Sequence, residues 1–254
     1  MPYLSIVIPA YNEEQRIGHT LSETLAYLEA QKYTSEIVVV DDGSRDGTEK
    51  VVDSFVARVG GERLRMIKNP GNRGKGYAVR NGMIHSEGEI ALFCDADLST
   101  PPGEIERVIE PIAEDRYDVV IGSRALDRSL IGERQSSVRE LIGRGGNLIL
   151  QALTGLKFKD TQCGFKAFRR AAAQSVFPLQ RIDGFGFDPE ALYIAQKQGY
   201  RLLELPVRWN HVEGSKVHVI GTPLKVLTEI ATIRWNDLTG KYDPKSAPAA
   251  ARQS

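Results

Sequence analysis

The chain has 254 residues, of which 41% are hydrophobic and 26% are charged, proportions that are ordinary for a soluble globular protein. Its formal net charge is zero, so the overall charge does not indicate a nucleic-acid partner. Cys94 and Cys163 are too few for a disulfide framework, and neither has the neighbouring cysteine or histidine of a zinc site.

Short apolar runs alternate with longer amphipathic segments in the first half of the chain. This alternation is the pattern of βα units around a parallel sheet. The predicted strands are residues 4–8, 36–40, 64–67, 89–94 and 118–121. Helices are predicted where apolar residues recur every three or four positions, at 17–28, 51–59, 76–85 and 105–112.

After Gly122 the pattern changes. Residues 124–159 contain seven Arg and Lys but three acidic residues, a local charge of 7 − 3 = +4. The later predicted elements are a helix at 188–198, a strand at 201–209, an amphipathic helix around 224–231 and a disordered tail at 245–254. Since we find no internal repeat and no linker, we predict a single α/β domain.

Membrane-directed segments are not predicted from this sequence. The N-terminus lacks a basic segment followed by an apolar one, and no run approaches the ~20 apolar residues of a spanning helix. We therefore expect a cytoplasmic location, with any membrane contact peripheral and at the cytoplasmic face.

Asp95-Ala96-Asp97 directly follows the apolar strand predicted at 89–94. Ligands bind at the C-terminal ends of strands in open α/β sheets. Two carboxylates separated by one residue in a turn can approach a single Mg²⁺ or Mn²⁺, which can bind a diphosphate. Two solvated turn acids are the alternative, and the buried strand before them favours the metal site.

Two other predicted strands also end in polar turns. After the first, Tyr11 can pack on a nucleobase or ribose, Asn12 can cap the next helix, and Glu13 can accept hydrogen bonds at its N-terminus. After the second come Asp41 and Asp42, and an acid there can accept from the imide N–H of uracil or the N1–H of guanine. Because a turn alone does not require two adjacent acids, a binding role is favoured over turn formation.

Two segments of the first half can supply cations to phosphate. Lys75, in a glycine-rich turn at 72–76, precedes a helix, whose N-terminal N–H groups favour anions. The turn is not an ATP-binding loop, and Val79 replaces the third glycine of a dinucleotide-binding motif, so a flexible turn is the alternative. Arg124 follows a strand and can bind a phosphate bidentately or form a surface ion pair.

The second half contributes two candidate side chains. Asp160, in the run 160–166, can act as a general base, orient an acceptor or form an Asx turn. Lys216 lies in a polar loop and can close over a diphosphate after the donor binds, or remain an exposed lysine.

Five motifs together resemble the family 2 inverting glycosyltransferases of GT-A fold. They are Val-Ile-Pro-Ala-Tyr-Asn-Glu (7–13), Val-Asp-Asp-Gly-Ser (40–44), Asp-Ala-Asp-Leu (95–98), Gly-Ser-Arg (122–124) and Glu-Gly-Ser-Lys (213–216). Residues 160–166 and 209–216 look most like the dolichyl-phosphate glucosyltransferases. The resemblance covers about 3–240. It implies a Rossmann-like, mostly parallel sheet flanked by helices over 1–244, with a nucleotide half of about 1–123 and an acceptor half of about 124–244.

The resemblance implies roles for the residues that match these motifs. The nucleoside is expected to contact Pro9, Tyr11, Glu13, Val40 and Asp42. Asp95 and Asp97 are expected to hold Mg²⁺ or Mn²⁺, Ala96 to lie against the nucleotide, and Arg124 and Lys216 to bind phosphates. Arg139 and Arg144 match a basic helix that faces the acceptor phosphate in the mannosyl relatives.

The sequence also departs from its relatives. His211 stands where the mannosyl relatives have an arginine, which disfavours GDP-mannose, and Ser99 stands where some relatives have a glutamine beside the metal. The sequence shows no counterpart of the membrane helix or membrane domain that relatives carry. Residues 124–159 interleave cations with leucine and isoleucine, so this segment can lie in a lipid interface or pack on the core.

The function that the resemblance implies is inverting transfer of glucose from UDP-glucose to a polyprenyl or dolichyl phosphate. Because a phosphate acceptor is largely ionised at pH 7, catalysis would need no strong base and would rest on positioning and charge stabilisation. One alternative is a GDP-mannose-using transferase, and another is a transferase acting on a hydroxyl with Asp160 or Asp188 as base. A third, a non-catalytic sugar-nucleotide sensor, is disfavoured by the intact pair Asp95 and Asp97.

Overall fold

The computed structural model describes residues 1–132, 145, 148–210 and 222–246 of the chain. Its described part contains a seven-stranded sheet with the strand order β3-β2-β1-β4-β6-β5-β7. The strands are β1 (Leu4–Ala10), β2 (Ser35–Asp41), β3 (Leu64–Lys68), β4 (Ile90–Cys94), β5 (Val119–Ser123), β6 (Phe165–Arg169) and β7 (Leu202–Pro206). All neighbouring strands are parallel except β6, which is antiparallel to β4 and β5.

Helices cover both faces of this sheet. They are α1 (Ile17–Glu29), α2 (Thr48–Val59), α3 (Lys75–Ile84), α4 (Ile105–Ala113), α5 (Arg170–Val176), α6 (Phe187–Lys197) and α7 (Thr222–Leu238). Residues 148–154 are also helical. The predicted α/β class with a mostly parallel sheet flanked by helices is therefore confirmed.

The central strands have few polar residues because both of their faces are covered. Val7 in β1 joins one apolar cluster with α3, α5 and α6, while its neighbours Ile6 and Ile8 join a second cluster with α1, α2 and α4. A continuous run of β-branched residues suits a parallel strand that is buried on both sides. The sheet is thus packed on both faces, and the polar loops extend from its edges.

The strand β6 and the helix α5 after it are not predicted from the sequence. No strand is predicted in or after the run 160–166 until residue 201, but β6 begins at Phe165. Lys166 and Arg169 interrupt its apolar pattern, although Lys166 is completely buried. Because β6 is antiparallel, Phe165 pairs with Cys94, and the turn before β6 lies at the same edge as the end of β4.

Most other predicted elements are present with shifted ends. The strand predicted to reach residue 209 ends at Pro206, and the last helix extends to Leu238. Pro244–Ser246 forms a 3₁₀ turn, and Arg181 Nη2 donates to the Ser246 carbonyl at 2.9 Å. The rest of the predicted disordered tail, residues 247–254, lies outside the described residues. Among the residues that the structure describes, no helix is both long and apolar enough to cross a bilayer.

Candidate active site

Four strand ends and one strand beginning converge at a single edge of the sheet. Ala10 pairs with Asp41 at the ends of β1 and β2, and Cys94 pairs with Phe165 where β4 ends and β6 begins. The end of β5 lies beside β6. Parallel strands bring their C-terminal ends to one edge, and antiparallel β6 adds the turn that precedes it.

Asp95 and Asp97 lie at this edge, as predicted. Leu98 has φ of 53°, in the left-handed region, and the Ser99 N–H donates to Asp97 Oδ1 at 2.9 Å. This tight turn keeps both acids partly exposed immediately after β4. Gly164 lies against Asp95, and a Cβ added there would overlap the Asp95 carboxylate. The turn before β6 therefore needs glycine at this position for the acid to keep its place.

Lys75 is the first residue of α3 and forms an ion pair with Asp95 of the turn at residues 95–98, which we call the acidic turn. Its Nζ lies 2.6 Å from Asp95 Oδ1, and the two side chains are 24% and 33% exposed. Burial lowers the pKa of Lys75, but the nearby Asp95 and Asp188 carboxylates outweigh burial and raise it overall. The ammonium is therefore firmly charged.

A second ion pair is buried beneath the first. Lys166 is completely buried, pairs with Asp188 of α6, and its Nζ donates to the Cys163 carbonyl at 2.6 Å. Burial raises the pKa of Asp188 above its usual range, although Lys166 and Lys75 act to lower it. By binding the Cys163 carbonyl, Lys166 also fixes the turn that brings Gly164 against Asp95.

Arg124 and Asp160 form a third pair, from the end of β5 and the turn before β6. Arg124 donates from Nε to Asp160 Oδ2 at 2.7 Å and from Nη2 to Oδ1 at 2.8 Å, and its main-chain N–H donates as well. Burial would raise the pKa of Asp160, but the Arg124 guanidinium outweighs it and lowers the pKa. An ionised, doubly paired carboxylate suits the positioning of Arg124 better than proton acceptance.

The three ion pairs and Asp97 form one cluster, which we call the charged centre. It consists of Lys75, Asp95, Asp97, Arg124, Asp160, Lys166 and Asp188. Arg124 also places its guanidinium carbon 5.5 Å from the Trp209 ring centroid. Trp209, Ser99, Thr100 and Gly164 line a small polar cavity beside Asp95. Lys166 and Trp209 lie in the segments 160–166 and 209–216 that carry the resemblance. Neither the burial of Lys166 nor a role for Trp209 is predicted from sequence, since both depend on tertiary contacts.

Asp42 is buried and organises the turn that leads to Lys75. Its carboxylate accepts from Asn69 Nδ2 at 2.7 Å, from the Gly74 N–H at 2.7 Å and from the Arg73 N–H at 3.1 Å. Asn69 in turn accepts from Asn81 Nδ2 at 2.8 Å. Asn69 is not predicted from sequence, because its role depends on its position after β3. Asp42 is thus a structural anchor of this edge as well as a nucleoside candidate.

The turns after β1 and β2 are joined to each other. The Asn12 N–H donates to Ser44 Oγ at 2.8 Å, and the Arg45 N–H donates to Asn12 Oδ1 at 2.7 Å. The prediction that Asn12 caps the first helix is wrong, because α1 begins at Ile17 and Asn12, with φ of 53°, connects the two turns instead. We call residues 11–16, 42–48 and 69–74 the hydrogen-bonded turns.

The other predicted nucleoside contacts differ in how far their side chains are accessible. Tyr11 and Pro9 are partly exposed, and Glu13 Oε2 accepts from Arg16 Nε at 2.7 Å. Val40 is completely buried in the core, so its side chain cannot reach a nucleoside and any contact must use its main chain. Ala96, between the two acids of the acidic turn, is also buried.

Four residues singled out in the sequence lie outside the described residues: Arg139, Arg144, His211 and Lys216. The segment that leads to Lys216 starts at the site, since the Asn210 N–H donates to the Ser99 carbonyl at 2.8 Å. Across residues 1–132, 148–210 and 222–246, no group of three or more His, Cys, Asp or Glu side chains is arranged to hold a metal ion. Asp95 and Asp97 are thus a pair of acids without a third acidic ligand in that part of the chain.

Comparison with known proteins gives consistent matches. Residues 5–177 match the model of the family described as glycosyl transferase family 2. The chain is 36% identical over 250 residues to human dolichyl-phosphate beta-glucosyltransferase, covering 94% of this chain and 77% of the relative. It is 35% identical over 254 residues to the protein of that name from Dictyostelium discoideum, covering 96% and 77%.

The solved structures similar to this one support the fold. Glucosyl-3-phosphoglycerate synthase from Mycobacterium tuberculosis, in complex with Mn²⁺, UDP and phosphoglyceric acid, has a TM-score of 0.69 at 18% identity, covering 95% of this chain and 79% of that chain. Its complex with Mg²⁺ and UDP has a TM-score of 0.67 at 20% identity, covering 92% and 80%. At these identities the likeness shows the fold alone.

Proposed function

Because the chain belongs to glycosyl transferase family 2, we propose that it transfers glucose from UDP-glucose to the phosphate of dolichol or a related polyprenol, with inversion. The observation that carries the proposal is the identity of 35–36% over nearly the whole chain to relatives named dolichyl-phosphate beta-glucosyltransferase. The charged centre supports it, because cations from both halves of the chain meet beside the acidic turn.

The donor nucleotide fits the hydrogen-bonded turns. The Asp42 carboxylate already accepts from Asn69 Nδ2 and the Gly74 N–H, and the Arg73 N–H is shared between its two oxygens at 3.1 Å and 3.2 Å. The imide N–H of uracil would replace the longer arm of this shared bond at Oδ2. The partly exposed Tyr11 ring can then pack on the base, because the Asp42 N–H donates to the carbonyl of Ala10, the residue before Tyr11. Lys75, one residue after the main-chain donor Gly74, is then suited to bind the diphosphate.

The acidic turn fits Mg²⁺ or Mn²⁺. Mg²⁺ is commonly held by one or two protein carboxylates together with substrate phosphates, so Asp95 and Asp97 suffice without a third acid. The Asp95 carboxylate already binds one cation, the ammonium of Lys75, which lies 2.6 Å from Oδ1. When bound, the metal would neutralise negative charge on the leaving diphosphate.

The reaction that we propose forms one bond as another breaks. An acceptor phosphate oxygen attacks the anomeric carbon from the face opposite UDP; the bond from that carbon to the β-phosphate oxygen breaks, and UDP leaves with the bonding electrons. Because the attacking oxygen is already ionised, no proton has to be removed. Arg124, fixed by Asp160, keeps further guanidinium N–H groups to donate to a phosphate.

A hydroxyl acceptor is disfavoured by the two acids that would have to act as its base. Asp160 is held ionised by Arg124, and both of its oxygens accept from that side chain. Asp188 is buried and paired with Lys166. Neither carboxylate is presented to an incoming hydroxyl, so the charged centre is better arranged for an acceptor that carries its own negative charge.

We also propose a peripheral contact with the membrane that contains the lipid acceptor. Leu148, Ile149 and Leu153 are exposed, while Leu150 on the same helical segment is buried. Exposed leucine and isoleucine within the basic segment 124–159 suit an interface between headgroups and acyl chains. Replacing Leu148 and Ile149 by serine should reduce co-sedimentation with anionic vesicles, and unchanged binding would contradict this contact.

The donor assignment is tested by a transfer assay. The purified protein is incubated with Mg²⁺, dolichyl phosphate and either radiolabelled UDP-glucose or radiolabelled GDP-mannose, and the organic phase is counted. We expect label to enter the lipid from UDP-glucose at a rate at least tenfold above that from GDP-mannose. Faster transfer from GDP-mannose would overturn the donor assignment and support the mannosyl alternative.

A further inference from the structure

The ammonium of Lys75 lies against an Asp95 oxygen that a bound metal ion would need as its ligand. Its Nζ lies 2.6 Å from Asp95 Oδ1, and Gly164 packs against the same carboxylate, where an added Cβ would lie nearest to Oδ2. The Asp95 carboxylate is therefore both confined by the turn before β6 and paired with an ammonium. A divalent cation at Asp95 Oδ1 would share this oxygen with the ammonium, and the two positive charges would repel each other at close range unless the lysine moves away.

The lysine is also linked to the proposed nucleoside site. Asp42 accepts from the main-chain N–H groups of Arg73 and Gly74, at 3.1 Å and 2.7 Å, and Lys75 is the next residue. The Gly76 N–H donates to the Asp183 carbonyl at 2.8 Å, so the main chain is fixed on both sides of Lys75. Its long side chain is the flexible element between Asp42 and the acidic turn.

A diphosphate gives the ammonium another anion to bind. Lys75 is the first residue of α3, where helix N–H groups and the helix dipole favour a negative ligand. Its side chain has four rotatable bonds, so the ammonium can turn from Asp95 to a phosphate without a main-chain change. Transfer of the lysine frees Asp95 and also removes a like charge from the metal position.

We propose that Lys75 is an exchangeable counter-ion: it pairs with Asp95 in the free protein and transfers to the donor diphosphate when metal and nucleotide bind. Breaking the Lys75–Asp95 pair costs free energy, and when both ligands bind they share this cost, which either ligand would bear alone. Metal and nucleotide therefore bind with positive cooperativity. The inference rests on the proposed function, because it takes Asp95 as a metal ligand and a nucleoside diphosphate as the donor group.

The test measures Mn²⁺ binding, without turnover, in wild type and Lys75→Met. Free Mn²⁺ is followed by electron paramagnetic resonance, with and without saturating UDP. We expect Lys75→Met to bind Mn²⁺ alone about tenfold more tightly than wild type, within the usual range of coupling energies. The factor by which UDP tightens Mn²⁺ binding should fall by a similar amount. Lys75→Arg, which keeps the charge, should bind Mn²⁺ alone as weakly as wild type.

The factor by which UDP tightens Mn²⁺ binding distinguishes a lysine that changes partner from one that stays in place. A lysine that stays in place would weaken Mn²⁺ binding equally with and without UDP, so Lys75→Met would tighten both and leave the factor unchanged. That result would overturn the proposal. Lys68→Met is the matched control, since its exposed pair with Glu49 lies away from the acidic turn, and it should leave both affinities unchanged.

Two further arms distinguish failure of this inference from failure of the proposed function. Asp95→Asn should abolish the tight Mn²⁺ site in wild type and in Lys75→Met. If Mn²⁺ binding is unchanged in Asp95→Asn, the metal assignment itself is wrong and the inference falls with it. If GDP tightens Mn²⁺ binding and UDP does not, the donor assignment fails, and the same coupling comparison made with GDP decides the role of Lys75.

Discussion

Two neighbouring regions of the sheet edge are built in different ways. The hydrogen-bonded turns are joined largely by main-chain N–H groups that donate to side-chain oxygens, as Asn12 does to Ser44 and Gly74 does to Asp42. The charged centre is held by pairs of opposite charges, such as Lys75 with Asp95. The first region is complete without a ligand, whereas the second contains groups that a metal or phosphate would rearrange.

The difference indicates which region positions the donor and which one changes during the reaction. Main-chain N–H donors are held in place by the fold, so the hydrogen bonds of these turns fix a shape and do not readily exchange partners with an added ion. Ion pairs in a partly exposed site can exchange partners with a charged ligand at small net cost. We therefore expect substitutions in the charged centre to have larger and more ligand-dependent effects than substitutions in the turns.

The buried pair of the charged centre gives the largest expected effect. Lys166→Met leaves the buried Asp188 without its cation, and breaking a buried pair in this way costs about 3–5 kcal/mol of the free energy of unfolding. Combining it with Asp188→Leu removes the unpaired charge and should recover most of the loss. Urea denaturation measures both. Lys68→Met, at an exposed pair, should change stability little, and a similar loss there would contradict the distinction between the pairs.

Glu190 is a buried acid held by neutral hydrogen-bond donors, and its pH dependence sharpens the contrast with the buried acids that are held by ion pairs. Glu190 lies on α6 with Asp188, but it accepts from the Arg181 and Ile182 N–H groups and the Tyr242 hydroxyl, and burial raises its pKa to about 7. Since the native state then binds a proton more tightly than the unfolded state, stability is lost as pH rises from about 4.5 to 7.

The measurement is the free energy of unfolding at several pH values in wild type and Glu190→Gln. The loss assigned to Glu190 is about 3 kcal/mol across this interval, from the shift in its pKa. The glutamine variant should lack this part of the pH dependence. Parallel curves for the two proteins would show that Glu190 titrates normally.

The acidic turn tests the charged centre through activity. Asp97→Asn keeps the size of the side chain and an acceptor oxygen for the Ser99 N–H but removes the negative charge. We expect the transfer rate to fall by at least ~10²-fold, the scale of a lost electrostatic contact in a transition state. Wild type in EDTA should be inactive as well. Full turnover in EDTA would contradict the metal assignment.

A smaller effect is expected where the two halves of the chain meet at Asp95. Gly164→Ala places a Cβ against the Asp95 carboxylate, and displacement of a reacting-site group should reduce the transfer rate about tenfold or more. Gly103→Ala is the matched control, because an added Cβ there has no atom within 4 Å. Equal rates for the two variants would show that the contact with Gly164 does not position Asp95.

The hydrogen-bonded turns and the acidic turn can be predicted from sequence because each follows an apolar strand. The turn at Asp95 combines a buried strand with two acids, a pattern that a turn alone does not require. The pairs of the charged centre cannot be predicted in the same way. Lys166 and Asp188 are 22 residues apart, and a fully buried lysine is rare unless it is paired.

The same limitation applies to β6 and Asn12. An antiparallel strand with Lys166 at its second position lacks the continuous apolar run of its neighbours, so periodicity does not reveal it. Asn12 precedes a helical pattern, which predicts a helix cap, but a tertiary hydrogen bond to the turn after β2 determines its conformation. Sequence therefore predicts the location of this edge better than its internal pairing.

The acceptor preference of the charged centre tests the central claim most directly. With UDP-glucose and Mg²⁺, a polyprenyl phosphate is compared with the polyprenol of the same length that ends in a hydroxyl. We expect glucose on the phosphate, as the β-linked product, and no transfer to the alcohol above background, because Asp160 and Asp188, the two acids that could act as a base, are held in ion pairs. Transfer to the alcohol at a comparable rate would contradict the account.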